Sequence, residues 1–389
     1  MSKSLKAMLA KKHSDAMSAE IITEVTYIDT GIPTLNYVIC GKPLTGGMPL
    51  TGKTIIMYGG EGCGKTSYVL HMIAQAQKKN VEVVYIDTER SITKPRCKQF
   101  GVDIDKLIYL NPETMEEVFS IIEDVCREKI DSGQTDPKEY PTIIIWDSLA
   151  ATTTAEEDSR TTDQLEIATQ AKVLTRNMRK IKHKASRAGV GLLFIQQARE
   201  NQDRFGDTIA MPGGKALKHG VDVILRVSAL KPDETGQGVK ISVPRKNRLF
   251  KPFQNTVVRF DYVYGFTPEN IMDSFCEFLK AIGILGQAGS YCYLQTEVEK
   301  IMAAEGLDEK DAVKKTSKFY RKDFSKRLIE DKEYYDIILA EAEEYVNKNI
   351  NLVAKVMSDS EIDIERATQE IINDEIEEKE YLSKEDDED

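Results

Sequence analysis

The chain has 389 residues, 41% apolar and 30% charged, enough to bury a real core and to form about two domains, or one large one with appendages. No apolar run approaches the ~20 residues of a membrane span, and the opening Met-Ser-Lys-Ser-Leu-Lys lacks an apolar signal core, which argues against secretion. The six cysteines form no CxxC pair and the four histidines do not cluster, so a zinc site and a disulfide framework are disfavoured and a reducing cytoplasm fits best. The net charge of −11 is concentrated at one end: residues 374–389 hold ten acids against Lys379 and Lys384, a net −8 that leaves −3 for the rest. Such a tail is expected to be solvated and disordered, unless it competes with a polyanion for a basic surface.

In chain order, residues 1–25 read as a short amphipathic helix, with Leu5, Met8, Leu9 and Met17 among lysines. Strand runs at Thr54–Tyr58, Val81–Ile86, Thr142–Trp146 and Val190–Ile195 alternate with helices expected at 65–79, 114–130 and 164–188. Short apolar runs separated by helices imply βαβ units and a buried, mainly parallel sheet. The last of these helices spaces Ile167, Ala171, Leu174, Met178, Ile181 and Ala185 in steps of four and three, which buries one face. The β runs Val221–Val227, Val239–Val243 and Thr256–Asp261, joined by turns such as Asp233-Glu-Thr-Gly236, read as hairpin extensions of the sheet. From 268 to about 372 the pattern is mostly helical, and there is no internal repeat.

The most specific motif is Gly59-Gly60-Glu61-Gly62-Cys63-Gly64-Lys65-Thr66, a full G-x4-G-K-T that follows a strand and opens a helix, the context of a P-loop. Its glycines let backbone amides close around phosphates, Lys65 reaches the β- and γ-phosphates, and Thr66 suits Mg²⁺. A second Mg²⁺ carboxylate is supplied by Asp147, after four apolar strand residues in Ile143-Ile-Ile-Trp-Asp147-Ser148. Asp87-Thr-Glu89 ends another strand, where Glu89 either orients an attacking water or caps a loop. Gln197 ends the strand at Ile195-Gln-Gln197, as a γ-phosphate sensor or as a satisfied polar end. Ala198 to Gly214 is a long polar segment with Arg199, Arg204, Phe205 and Gly213-Gly214, and loops of this length are commonly functional. Beside it, the acid-free run 172–187 carries Lys172, Arg176, Arg179, Lys180, Lys182, Lys184 and Arg187. That run is either a solvated helix face or a surface that tracks a nucleic-acid backbone.

With these residues in place, the sequence from about 28 to 294 resembles the RecA-type homologous recombinase family, closest in character, by its divergence and acidic tail, to the phage UvsX-like recombinases. The likeness is carried by Thr30-Gly-Ile-Pro-Thr-Leu35, Gly59-Gly-Glu61 before Gly64-Lys-Thr66, Tyr85-Ile-Asp-Thr-Glu89 and Gly101-Val-Asp-Ile-Asp105. It continues in Phe194-Ile-Gln-Gln197-Ala-Arg199, Gly213-Gly-Lys-Ala-Leu-Lys218, Lys246-Asn-Arg248, Pro252-Phe253 and Ala288-Gly-Ser-Tyr291.

The resemblance implies a RecA-like α/β P-loop ATPase that uses ATP and Mg²⁺. It implies a helical homo-oligomeric filament on single-stranded DNA that pairs it with a homologous duplex, with mediator and single-strand-binding proteins as accessory partners. By position, Glu89 would activate water, Gln197 would couple ATP to the DNA loops, and Ser67 would join the nucleotide site. Lys172, Thr175, Arg179, Arg199, Gly213 and Gly214 would contact DNA, with a first DNA loop near Glu156–Gln164. Lys246 and Arg248, two apart on a strand-like run, would reach the ATP of the adjacent subunit. The sequence departs from the family at Arg96, where a tyrosine commonly stacks on adenine and a guanidinium can do the same. It departs again at Ser228 and Ala229 in place of paired arginines, with Arg245 as a substitute, and at His219 in place of an interface phenylalanine. Residues 295–372 do not match the family's small C-terminal domain. The expected division is an N-terminal oligomerisation segment (1–34), the ATPase core (35–267), a helical C-terminal region (268–372) and the acidic tail (373–389). A hexameric helicase or a recombination mediator on the same core, and a nucleotide-switched assembly protein without strand exchange, stay open as alternatives.

Overall fold

Alternation along the central strands sets the architecture. The computed structural model describes residues 25–158, 167–200, 209–210, 217, 220–289, 291–350 and 353. Eight strands form the main sheet in the order β12-β11-β10-β3-β7-β6-β4-β5. These are β3 (Thr54–Gly59), β4 (Glu82–Asp87), β5 (Leu107–Leu110), β6 (Thr142–Asp147), β7 (Val190–Gln197), β10 (Val223–Pro232), β11 (Gly236–Ser242) and β12 (Asn255–Asp261). Pairing is parallel from β10 through β5 and antiparallel at β10–β11 and β11–β12, so the sheet is mainly parallel with a hairpin extension at one edge. Two-residue strands β1 (Tyr27–Ile28) and β2 (Met48–Pro49) pair apart from it, as do β8 (Arg199–Glu200) and β9 (Ile209–Ala210).

Successive side chains of a strand point to opposite faces, and this sequence fills both with apolar residues. Ile55, Met57, Val83, Tyr85, Ile143, Ile145, Leu193 and Ile195 enter one buried cluster, and Ile56, Val84, Ile86, Ile144, Trp146, Leu192 and Phe194 enter the other. The first face is covered by α1 (Pro33–Cys40) and α2 (Lys65–Lys78), with α3 (Lys94–Gln99) at its margin through Cys97. The second is covered by α4 (Met115–Asp131) and α5 (Ile167–Ala188). Thr114 and Glu117 form a reciprocal capping box that fixes the start of α4. Residues 164–166 of the expected long helix lie outside the described residues.

The segment after 268 is not uniformly helical. Helix α6 (Pro268–Ala281) is followed by a hairpin of β13 (Leu285–Ala288) and β14 (Tyr291–Leu294). Helices α7 (Gln295–Glu305), α8 (Glu309–Lys315), α9 (Arg321–Glu330) and α10 (Lys332–Lys348) come next. Phe275, Phe278, Phe324, Leu328, Ile338 and Val346 share one buried cluster with Leu35, Val38 and Met72. The Glu343 carboxylate of α10 accepts from the Leu44 amide at 2.8 Å and the Thr45 amide at 2.9 Å, which ties the C-terminal helices to the loop after α1. All six cysteines are buried free thiols. Among the described residues no helix is long and apolar enough to cross a membrane.

Candidate nucleotide site and interface cations

The carboxyl ends of β3, β4, β6 and β7 converge on a cleft of about 570 Å³ lined by Glu61, Gly62, Gly64, Lys65, Thr66, Ser67, Glu89, Arg96, Asp147, Gln197, Gln237, Phe260 and Tyr262. Gly59 ends β3 where an added Cβ would stand 2.3 Å from the Val227 carbonyl oxygen, so only glycine lets the loop leave the strand there. Gly64 has a φ of 97° and caps α2 without a side chain, so no side-chain oxygen occupies the first-turn amides of that helix. Open amide donors at the positive end of a helix bind anions. The Lys65 ammonium donates to the Gly59 and Gly60 carbonyls at 2.8 and 2.7 Å. It lies 3.9 Å from the Cys63 sulfur, and burial holds that thiol up.

Asp147 is buried at the end of β6 and accepts from the Thr66 hydroxyl at 3.1 Å and the Tyr85 hydroxyl at 2.8 Å. Burial pushes its carboxyl up to about 6; the Tyr85 hydroxyl opposes this and the nearby Glu89 adds to it. A cation there would relieve this excess of negative charge. Thr66 and Asp147 are a hard-oxygen pair, and among the described residues no group of three or more His, Cys, Asp or Glu surrounds a metal position. Two protein oxygens completed by phosphate and water suit Mg²⁺. The peptide between Asp147 and Ser148 is cis.

Glu89 is fixed by two donors on the same oxygen: Gln197 Nε2 at 2.9 Å and the Ser148 hydroxyl. Gln197, which the sequence leaves open between a sensor and an inert strand end, thus touches the side chain expected to handle water. Arg96 donates to Ser67 Oγ at 2.8 Å and lies over the Phe100 ring at 5.6 Å, so part of its stacking capacity is taken by this chain. Ser148, Gln237 and Tyr262 join the site without a sequence motif of their own, and Tyr85, which opens the Tyr85-Ile-Asp-Thr-Glu89 motif, joins it through Asp147. Gln237 donates to the Gly62 carbonyl at 3.2 Å and lies 3.4 Å from the Tyr262 hydroxyl. The only signal for Ser148 is its adjacency to Asp147. Trp146 faces away from the cleft into the second cluster, and its indole donates to Thr152 Oγ1 at 3.1 Å.

Lys246 and Arg248 are elsewhere. The run is a loop with one bridge, Val223↔Asn247, and not a strand, because its backbone is spent on the start of β10. The Ile224 amide donates to the Lys246 carbonyl at 3.0 Å and the Arg248 amide to the Asp222 carbonyl at 3.0 Å. Asp222 in turn pairs with Thr54, where β3 begins. The P-loop leaves the other end of β3, five residues on, or about 16 Å at roughly 3.3 Å per residue. Residues of the same chain therefore place these cations at the end of the sheet opposite their own P-loop.

On α5, Leu174, Met178, Ile181, Ala185 and Ala188 are buried, and Lys172, Thr175, Arg176 and Arg179 are exposed. The basic run is not a single surface. Lys180 and Lys184 pair with Glu123 at 2.7 and 2.6 Å, and Lys182 pairs with Asp222 at 2.6 Å. Lys172, Arg176 and Arg179 make no ion pair among the described residues. Arg199 contributes backbone to β8, while Gly213, Gly214, His219, Arg204 and Phe205 lie outside the described residues. So do residues 159–164 of the expected first DNA loop; its start lies in the helical turn Ala155–Asp158.

The family model for the RecA N-terminal domain matches residues 8–267. Protein RecA of Aquifex pyrophilus is 33% identical over 277 residues, 69% of this chain and 73% of that protein. Protein RecA of Aquifex aeolicus is 32% identical over 269 residues, 67% of this chain and 73% of that protein. Protein RecA of Mesomycoplasma hyopneumoniae is 33% identical over 298 residues, 74% of this chain and 83% of that protein. A P-loop cleft with Glu89 and Asp147 at the carboxyl ends of a mainly parallel sheet, together with these matches, places the chain in the RecA family.

Proposed function

We infer that the chain is a RecA-type recombinase, a DNA-dependent ATPase that assembles on single-stranded DNA and promotes homologous pairing and strand exchange. The observation that carries the catalytic reading is Glu89, whose carboxylate stands at the mouth of the P-loop cleft between Ser148 and Gln197. A carboxylate held by two donors is oriented before a substrate arrives. Here Glu89 positions and deprotonates the water that attacks the γ-phosphorus of ATP, giving ADP and phosphate. Lys65 and the α2 amides bind the phosphates, and Thr66 and Asp147 would hold Mg²⁺, which neutralises phosphate charge when bound. A change in what Glu89 contacts is felt at once by Gln197, at the head of the segment that leads toward Arg199 and the second DNA loop.

Lys246 and Arg248, remote from their own cleft, serve the cleft of the next subunit. A head-to-tail contact that does not close yields a helical filament and brings one subunit's cation end to another's P-loop. Lys172, Thr175 and Arg179 share the exposed face of α5 at a spacing of three and four residues, which suits a backbone-tracking DNA contact. We assign the same assembly role to residues 1–34 and the cytoplasm as the place of action. Single-stranded DNA should stimulate ATP hydrolysis and support strand exchange with a homologous duplex. Hydrolysis that ignores DNA, or closed rings with unwinding activity by electron microscopy, would favour the assembly-protein or helicase alternatives.

A further inference from the structure

We propose that Asp222 is the positioning residue of the interface cations, holding Arg248 in the orientation in which it meets the neighbouring subunit's nucleotide. This rests on the shared-site reading above.

Asp222 precedes β10 between Val221 and Val223, and only 2% of its side chain is exposed. A buried carboxylate is tolerated only with full compensation. Its Oδ2 accepts from the Lys182 ammonium at 2.6 Å and from the Thr54 amide at 3.0 Å. Its Oδ1 faces Arg248 NH1 at 3.4 Å. Burial works against the charge, yet Lys182 and the Thr54 amide hold the carboxyl below its usual value. The ion is therefore fixed by β3 and α5 before Arg248 is considered.

Arg248 is held differently. Its backbone is strapped to the Asp222 carbonyl at 3.0 Å, but 53% of its side chain is exposed. A guanidinium has five donors, and the ion pair engages the NH1 end, leaving donors on the solvent side. A long side chain with that much freedom loses entropy when it must meet a partner in one geometry. An anchored carboxylate at its base removes part of that cost in advance. Lys182 makes the anchor rigid and also donates to the Gly220 carbonyl at 3.2 Å, so the three charged side chains link α5, the start of β10 and the interface loop. If Asp222 served only to neutralise Lys182, removing both charges together would leave catalysis intact.

The test uses full-length Asp222→Asn and the double variant Asp222→Asn/Lys182→Met, which avoids an orphaned buried lysine. Both should bind ATP and single-stranded DNA, and the double variant should melt near the wild type. Both should lose about ten- to a hundredfold in kcat of DNA-stimulated ATPase, with KM for ATP changed less than about threefold, as for a misplaced transition-state contact. Equimolar mixing with Lys65→Ala, which keeps its own cations, should restore about a quarter of the sites. Mixing with Lys246→Ala/Arg248→Ala, defective at the same end, should restore none. Wild-type kcat in the double variant overturns the proposal, as does rescue by Lys246→Ala/Arg248→Ala instead of Lys65→Ala. A mixture of Lys65→Ala with Lys246→Ala/Arg248→Ala that stays inactive overturns the shared-site reading itself, and the positioning claim with it.

Discussion

The two ends of the central sheet carry opposite charge in opposite arrangements. At the carboxyl end, Asp87 and Glu89 lie near Asp147, whose carboxyl is pushed up first by burial and then by those two acids, while Lys65 is spent on the Gly59 and Gly60 carbonyls. At the amino end, Lys182, Lys246 and Arg248 gather around one acid, Asp222, and crowding by burial and by Arg248 lowers the Lys246 ammonium's pKa. The acid-rich end suits a metal ion with phosphates, and the cation-rich end suits an anion. We propose that stacking subunits head to tail brings the two ends together and divides the site between neighbours.

Substitutions at the acid-rich end should have the largest effect. Lys65→Ala should abolish ATP binding, because the phosphates lose their cation, whereas Glu89→Gln should bind ATP and lose about 10²- to 10³-fold in hydrolysis, trapped on DNA. Equal loss of ATP affinity in a titration of both variants would dissolve the distinction between binding and water activation. At the cation-rich end, Lys246→Ala/Arg248→Ala should lower kcat by about 10²-fold or more while leaving the isolated subunit's ATP binding intact. If ATP affinity of the unassembled protein falls to the same degree, the two ends are not separate.

A smaller effect sorts the basic helix. Lys172→Ala/Arg179→Ala should weaken single-stranded DNA binding and flatten its salt dependence, each lost phosphate contact lowering the slope by about 0.7. Lys180→Met, already paired with Glu123 at 2.7 Å, should change that slope little. A salt titration in which both variants behave alike would return the whole run to an ordinary solvated face.

The smallest effect separates stability from chemistry. His71 is buried on α2 with no hydrogen-bond partner for Nε2 among the described residues, and burial lowers its pKa to about 4. The unfolded chain takes up this proton near pH 6.5 and the folded chain does not, so stability is full above about 6.5 and falls as pH drops toward 4. The difference in unfolding free energy between wild type and His71→Leu should therefore shift by up to about 3 kcal/mol across that window. A pH-independent difference would contradict it, and nucleotide turnover at neutral pH should be nearly unchanged.

The parts of this picture that were legible in the sequence are those set by local rules. The glycines before Lys65, the apolar run before Asp147 and the period of α5 each depend on neighbours within a turn or a strand. The hairpin at β13 and β14 was hidden in a region that reads as helical, because four-residue strands such as Leu-Gly-Gln-Ala leave no period to detect. Strand β5 was missed because its edge position leaves Ile108 and Tyr109 exposed. Tyr85 on Asp147, Ser148 on Glu89, and Lys182 and Arg248 on Asp222 are contacts between distant segments, made by the topology. The basic run 172–187 looked uniform because the acids that divide it, Glu123 and Asp222, lie far away in the chain.

The central claim, that the site is shared between subunits, is tested most directly by mixing two inactive proteins, Lys65→Ala and Lys246→Ala/Arg248→Ala, in equal amounts on single-stranded DNA. Each correct neighbour is present with a probability of about one half, so random co-assembly rebuilds about a quarter of the interfaces, and DNA-stimulated ATPase should rise toward that fraction of wild type. A mixture that co-assembles into filaments yet stays inactive would contradict the account, because it would mean that Lys246 and Arg248 act only within their own chain.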